Sequence, residues 1–181
     1  MIDIRTKYNR KENAVIITSP TKISIKEREY RAIQRLTDNE FWYCCTTGLI
    51  ELRDNYIVGL NFSSLGLKPK ELRENLGSLT SLEILHLEHN KIKRLPKSLM
   101  DLQKLRELHL TYNNITSLPK NIYKLKSLEE IYVGQNPIVS IPESILNMPS
   151  LEYLVIDRKN LDNPSKKIIK QLKQKKVKII G

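Results

Sequence analysis

Three histidines and several carboxylates fall in one short part of the chain, where they could act together. The set comprises His86, Glu88, His89, Glu107 and His109. Two imidazoles and one carboxylate are a ligand set that zinc accepts in proteins. Whether these side chains can reach one another depends on the elements that carry them.

The sequence repeats every 23 residues, and a leucine begins each copy. The pattern LxxLxLxxNxLxxLP runs through LEILHLEHNKIKRLP, LRELHLTYNNITSLP and LEEIYVGQNPIVSIP, with asparagines at Asn90, Asn113 and Asn136. A fourth copy, LEYLVIDRKNL, has Lys159 at the asparagine position, and a degenerate earlier copy begins at Ile57. A constant period of this length predicts a solenoid in which each copy packs on its neighbours.

The repeat resembles the leucine-rich repeat family, specifically the 23-residue class whose copies end in LP. The resemblance covers about Ile57 to Leu161 and implies an α/β solenoid, a short horseshoe whose concave side is a parallel sheet. It also implies a non-enzymatic module that binds another protein, as in cytoplasmic signalling scaffolds with partners such as small GTPases. No motif in this chain narrows the choice of partner.

Alternation within each copy predicts which side chains form the core. Leu85 and Leu87 point to one side of the strand, and the residues between them point to the other. A short amide can both donate to and accept from the backbone where a strand turns away. We therefore expect Asn90, Asn113 and Asn136 to form a structural ladder.

The side chains opposite the leucines predict a concave face on which a protein partner binds. Tyrosine gives a large contact area for little side-chain entropy, which favours Tyr112, Tyr132 and Tyr153 as contacts. Alternatively, exposed strand positions tolerate any polar residue, and the histidines cluster there by chance. The predicted binding residues are His86, Glu88, His89, Glu107, His109, Tyr112, Glu130, Tyr132, Tyr153, Asp157 and Arg158.

A metal or catalytic site on this face is the competing hypothesis. His86 and His109 hold equivalent positions on adjacent strands, about 4.8 Å apart in the backbone, and Glu88 and Glu107 are near them. A zinc site also needs convergent ligands with outer-shell support, and we expect an open sheet to offer neither. The expected metal and cofactor content is none, and the sequence has no phosphate-binding glycine loop or nucleophilic serine motif.

The net charge of +11 is concentrated at the carboxy terminus. From Asn160 to Gly181, seven lysines oppose Asp162, whereas the predicted concave face carries about −3. A polyanion would therefore bind the last helix rather than the sheet. Electrostatic docking to nucleic acid or an anionic membrane is the alternative function, with contacts at Lys166, Lys167, Lys170 and Lys173.

Segments outside the repeats predict caps at both ends of a single structural domain. Residues 1–56 form the amino-terminal cap, 57–161 about five repeats, and 162–181 the carboxy-terminal cap. In the last of these, NPSKKIIKQLKQKK predicts a helix that opens with Pro164, and VKII predicts a final strand.

The amino-terminal cap is predicted to contain a helix and a hairpin. Ser24 and Glu27 have the spacing of a capping box, which predicts a helix from about Ile25 to Leu36. GLIEL and YIVGLNF flank RDN and predict a β-hairpin, and Trp42 is expected to cover the first leucine layer.

The cellular setting follows from what the chain lacks. No apolar run reaches the roughly 20 residues of a membrane span, and the amino terminus has no signal-peptide core. We expect a cytoplasmic monomer. Cys44 and Cys45 are neighbours, too close for an unstrained disulfide, and are expected to be buried as small hydrophobic residues.

Overall fold

An antiparallel three-stranded sheet lies at the amino-terminal end of the chain. The computed structural model describes residues 5–9, 14–18, 23–26, 31, 50–65 and 76–181. The strands of this first sheet are β1 (Arg5–Asn9), β2 (Ala14–Thr18) and β3 (Ile23–Lys26), in the order β1-β2-β3.

Strand β3 corrects the predicted start of the first helix. Ser24 and Ile25 lie on this strand and pair with β2, so Ser24 is not a helix cap. The alternation of Ile23 and Ile25 with polar residues is a strand pattern, and it prevailed over the capping-box spacing. Arg31 is helical, whereas most of the predicted helix, together with Trp42, Cys44 and Cys45, lies outside the described residues.

A seven-stranded sheet carries the repeats, and its strands lie side by side in chain order. The first two strands form the predicted hairpin, with Asp54 and Asn55 at φ values of 51° and 66° in its turn. All other neighbouring strands are parallel. The strands are β4 (Ile50–Arg53), β5 (Tyr56–Asn61), β6 (Ile84–His86), β7 (Glu107–His109), β8 (Glu130–Tyr132), β9 (Tyr153–Val155) and β10 (Lys178–Ile180).

The register of this sheet reproduces the repeat period. Leu85 is paired with Leu108, Leu108 with Ile131 and Ile131 with Leu154, so equivalent apolar residues stack in one fully buried row. The degenerate copy keeps the same register, because Leu60 pairs with Leu85. The open solenoid predicted from the repeat is confirmed.

The far side of each repeat returns through a short 3-10 helix. These helices span Leu76–Ser78, Lys97–Asp101, Ile122–Lys124 and Glu143–Asn147. Pro96 and Pro142 come directly before two of them, with φ values of −67° and −70°. Proline suits this position because its ring presets φ and it has no N–H to leave unpaired. Buried Leu99, Ile122 and Ile145 then close the core opposite the sheet.

Buried asparagines link neighbouring repeats through backbone hydrogen bonds. The Asn113 amide nitrogen donates to the carbonyl of Leu87 in the preceding repeat at 2.8 Å and to Leu110 at 3.0 Å. Its carbonyl oxygen accepts from the Ile92 N–H at 3.0 Å. Asn90 and Asn136 are likewise buried and donate to backbone carbonyls on both sides of a repeat boundary.

The carboxy-terminal helix and strand complete the fold as predicted. Helix α1 (Asn163–Gln174) is capped by Asp162, whose carboxylate accepts from the Ser165 N–H at 2.8 Å. Apolar side chains of α1, including Ile168 and Leu172, join the core. Strand β10 then pairs with β9 and extends the sheet by one strand beyond the repeats. Among the described residues, no helix combines the length and apolar character that a membrane crossing requires.

Candidate functional site

The concave face is built from side chains that alternate with the buried leucines. The register aligns His86 with His109 and His109 with Tyr132, in one column that runs across β6, β7 and β8. Because parallel neighbours lie about 4.8 Å apart, flat rings in such a column can stack. They do so here, with centroid separations of 4.1 Å for His86 and His109 and 4.3 Å for His109 and Tyr132.

Glu88 lies against both histidines of the stack. Its Oε1 is 3.2 Å from Nδ1 of His86 and 3.8 Å from Nδ1 of His109. Its other oxygen, Oε2, accepts a hydrogen bond from the Ser63 hydroxyl at 2.6 Å. Burial raises the pKa of Glu88, but the hydrogen bonds from Ser63 and the backbone, together with His86, outweigh burial and lower the pKa overall. This carboxylate is therefore held ionised in the middle of the face.

Glu107 and Glu130 each contact the ring two residues ahead on the same strand. Oε2 of Glu107 is 3.1 Å from Nε2 of His109, and the Tyr132 hydroxyl donates to Glu130. That hydrogen bond, with burial and the nearby negative charge of Glu130, raises the pKa of Tyr132 to about 12. Tyr132 stays a neutral hydrogen-bond donor at physiological pH. We call His86, Glu88, Glu107, His109, Glu130 and Tyr132 the central cluster.

A second pair of rings lies where the strands end. The rings of His89 and Tyr112 stack at 4.4 Å, and Tyr112 is 52% exposed. His89, Tyr112 and their equivalents Ser64 and Gln135 all have left-handed backbone conformations, with φ between 53° and 62°. A non-glycine residue seldom takes this conformation, and sequence reasoning missed it here. The recurrence of one position just before the ladder asparagine was the available signal.

The remaining predicted residues, Tyr153, Asp157 and Arg158, lie on or after β9, nearer the carboxy-terminal edge of the sheet. Tyr153 is covered by Lys178, whose Nζ is 5.3 Å from the ring centroid. Asp157 accepts a hydrogen bond from the Gln135 N–H at 2.6 Å, and Arg158 is exposed. Sequence reasoning did not anticipate the place of Lys178, because it did not pair the final strand with β9.

The lysines of the alternative hypothesis line a different surface. Lys166, Lys167, Lys170 and Lys173 are exposed on α1 and border an open depression of about 1280 Å³. Arg158 and Lys159 also line this depression. The two predicted binding surfaces are thus separate, except that Asp157 and Arg158 border both.

The central cluster contains three side chains that could ligate a metal ion. One potential ligand atom from each of His86, Glu88 and His109 lies within 4.8 Å of the others. All three side chains are half-buried. The three potential ligands therefore lie close together, although we expected from the sequence that an open sheet would not make them converge.

Sequence and fold comparisons both lead to one family. The family model described as "Leucine-rich repeat region" matches residues 60–177. No curated protein matches the chain.

Solved structures share the fold. A leucine-rich repeat protein of Leptospira interrogans is 29% identical with a TM-score of 0.54, and the match covers 68% of this chain and 36% of that one. The PEPR1–AtPEP1 structure is 31% identical with a TM-score of 0.54, over 65% of this chain and 17% of that one. The ectodomain of the receptor kinase SOBIR1 from Arabidopsis thaliana is 20% identical with a TM-score of 0.60, over 78% and 84%. This chain thus spans about a third or less of the first two.

Proposed function

Because the chain belongs to the leucine-rich repeat family, we propose that it is a non-enzymatic module that binds another protein through its concave face. The observation that carries this proposal is the ring stack of His86, His109 and Tyr132. These rings lie opposite the buried leucines, which suffice to form the core. Aromatic side chains near the centre of an interface are typical binding hot spots, and this row of stacked rings offers a continuous flat surface for such contacts.

Charge suggests the chemistry of the partner. Carboxylates border the ring stack: Glu107 on β7, Glu130 on β8, and Glu88 just beyond the end of β6. Glu88 is held ionised. A partner surface with arginine or lysine near an aromatic side chain would complement both the charge and the rings. The further roles of signalling scaffold and cytoplasmic monomer, with a partner such as a small GTPase, rest on family resemblance.

The size of the face sets the expected affinity. Seven strands at about 4.8 Å give the sheet a width of about 29 Å. Strands β6, β7 and β8, which carry the ring stack, have only three residues each. The sheet alone therefore falls below the roughly 800 Å² per partner of a standard interface. Binding is transient or includes the exposed turn that carries His89 and Tyr112.

The test is capture from a native lysate by immobilised protein. The wild-type chain is compared with a Tyr112→Ala/Tyr132→Ala variant and with a matched surface control, Lys166→Gln/Lys170→Gln/Lys173→Gln. We expect a partner that is kept by the lysine control and lost by the tyrosine variant. The reverse pattern, with capture that collapses between low and physiological salt, would favour the alternative of electrostatic docking through α1.

The same proposal treats the chain as one structural domain with boundaries near residues 57 and 161. Hydrogen bonds from Ile156 to Ile180 and from Ile141 to Ser165 support a cap that folds with the repeats. A single cooperative unfolding transition, with the same midpoint by circular dichroism and by Trp42 fluorescence, is the expected result. Two separate transitions would divide the domain.

A further inference from the structure

We propose that His86, Glu88 and His109 form a binding site for a divalent transition metal of the zinc type. The site stands independently of the proposed function, since it requires no partner. Its three donor groups come from two adjacent repeats and are half-buried, with side-chain exposures of 32%, 22% and 16% respectively. Two nitrogens and one carboxylate oxygen favour zinc over calcium or magnesium, which prefer oxygen ligands alone.

Two of the three ligand separations are near those of a zinc coordination shell, and all three ligand atoms lie within 4.8 Å of one another. Zinc with ligands at 2.0–2.1 Å in tetrahedral geometry separates those ligands by about 3.3 Å. The separations from Oε1 of Glu88 are 3.2 Å to Nδ1 of His86 and 3.8 Å to Nδ1 of His109. Each is therefore within about 0.5 Å of a tetrahedral edge.

Hydrogen bonds orient two of the three ligands from outside. A carboxylate can only accept, so the contact between Glu107 and Nε2 of His109 places the proton on Nε2. The lone pair of Nδ1 then points towards Glu88, where two acceptors face each other and a cation is the natural partner. A carboxylate on the far nitrogen of a histidine ligand is the usual support in zinc sites. Ser63 holds Glu88 in the same manner.

Metal binding requires two rearrangements at His86. Because its Nδ1 contacts the Glu88 carboxylate at 3.2 Å, the proton on that nitrogen must move to Nε2, and the ring must also turn. The rings of His86 and His109 are 23° from parallel, whereas a shared metal must lie near both ring planes. Rotation of His86 about its Cβ–Cγ bond provides this, because torsions to flat rings are broad. His109 is held more firmly, since Tyr132 stacks on its other side at an angle of 7°. We therefore expect His109 to keep its place and His86 to turn.

Calorimetric titration of the full chain with Zn²⁺, after chelator treatment, tests the site. The wild type should bind one ion saturably, and Co²⁺ in its place should give the visible absorption of a tetrahedral site. His86→Gln or Glu88→Gln should weaken Zn²⁺ binding by at least about 100-fold, and Glu107→Gln by about 10- to 100-fold. Melting temperature should rise with Zn²⁺ only in chains that retain the site.

Matched controls separate this site from other donors in the chain. His89→Gln removes the third histidine, and Cys44→Ser/Cys45→Ser removes both thiols; each should leave Zn²⁺ binding unchanged. Absence of saturable binding in the wild type, or equal loss in His89→Gln, would overturn the inference. Loss in the cysteine variant with retention in His86→Gln would do the same. Partner capture with and without chelator is scored separately, so the binding proposal can fail while the metal site stands.

Discussion

The interior repeats and the carboxy-terminal cap extend the same parallel sheet with different side chains. Between interior repeats, Asn113 is buried and satisfies backbone groups on both sides of a repeat boundary. The last copy has an exposed Lys159 at that position, and the chain leaves through α1 to form β10. Each ladder amide bonds to the repeat before it, whereas the last copy lacks this link and is closed by a helix and a strand instead.

The largest effect should come from removing the cap. Deletion of Asn163–Gly181 removes α1 and β10 and exposes the last apolar row and the unpaired edge of β9. We expect aggregation or early melting in a light-scattering and thermal-denaturation experiment. Lys166→Gln/Lys170→Gln/Lys173→Gln should remain folded, because these lysines are exposed. A stable, monomeric truncation would show that the cap is an appendage.

The next largest effect should come from the asparagine ladder, and Lys159, at the equivalent position of the last copy, provides the comparison. Asn113→Ala leaves the buried Ile92 N–H without its acceptor and removes one of two side-chain donors from each of the Leu87 and Leu110 carbonyls. This loss should cost about 1 to 3 kcal/mol of unfolding free energy. Lys159→Asn should be nearly neutral. Chemical denaturation measures both. Equal stability of Asn113→Ala and the wild type would contradict the role given to the amide.

A smaller effect concerns the start of α1 and depends on pH. Hydrogen bonds from Ser165 lower the pKa of Asp162 below its ordinary value of 3.8. The ionised cap therefore stabilises the fold above that value, and its contribution is lost as the pH falls through the folded-state pKa. Asp162→Asn keeps a cap but not the titration, so the melting temperatures of the two proteins should converge in acid. A constant difference at every pH would argue against this account.

The repeat could be predicted in detail because the leucine period determines the strand register. Equivalent residues 23 apart in sequence pair in the sheet, and the rows of the core follow from that. The pairing of β10 with β9 and the contact of Lys178 with Tyr153 could not be predicted, because VKII carries no repeat signature. The predicted helix start at Ile25 was wrong, since two local patterns competed in the same residues.

The central cluster shows a second limit of sequence reasoning. Alternation predicts that Glu88, Glu107 and His109 share a face, but it does not say which oxygen or nitrogen meets which. Those contacts depend on side-chain torsions, and here they supply the outer support for His109 that the sequence was expected to lack. Similarly, the left-handed backbone at Tyr112 could not be predicted, because tyrosine seldom adopts this conformation.

The central claim is that the ring-bearing concave face serves binding, whereas leucines, asparagines and the cap serve folding. Calorimetry on the captured partner, with thermal melting of the same samples, tests it most directly. The Tyr112→Ala/Tyr132→Ala variant should melt within a few degrees of the wild type and lose about 2 kcal/mol or more of binding free energy. Full affinity in this variant, with loss in the triple lysine variant, would contradict the claim and move the binding site to α1.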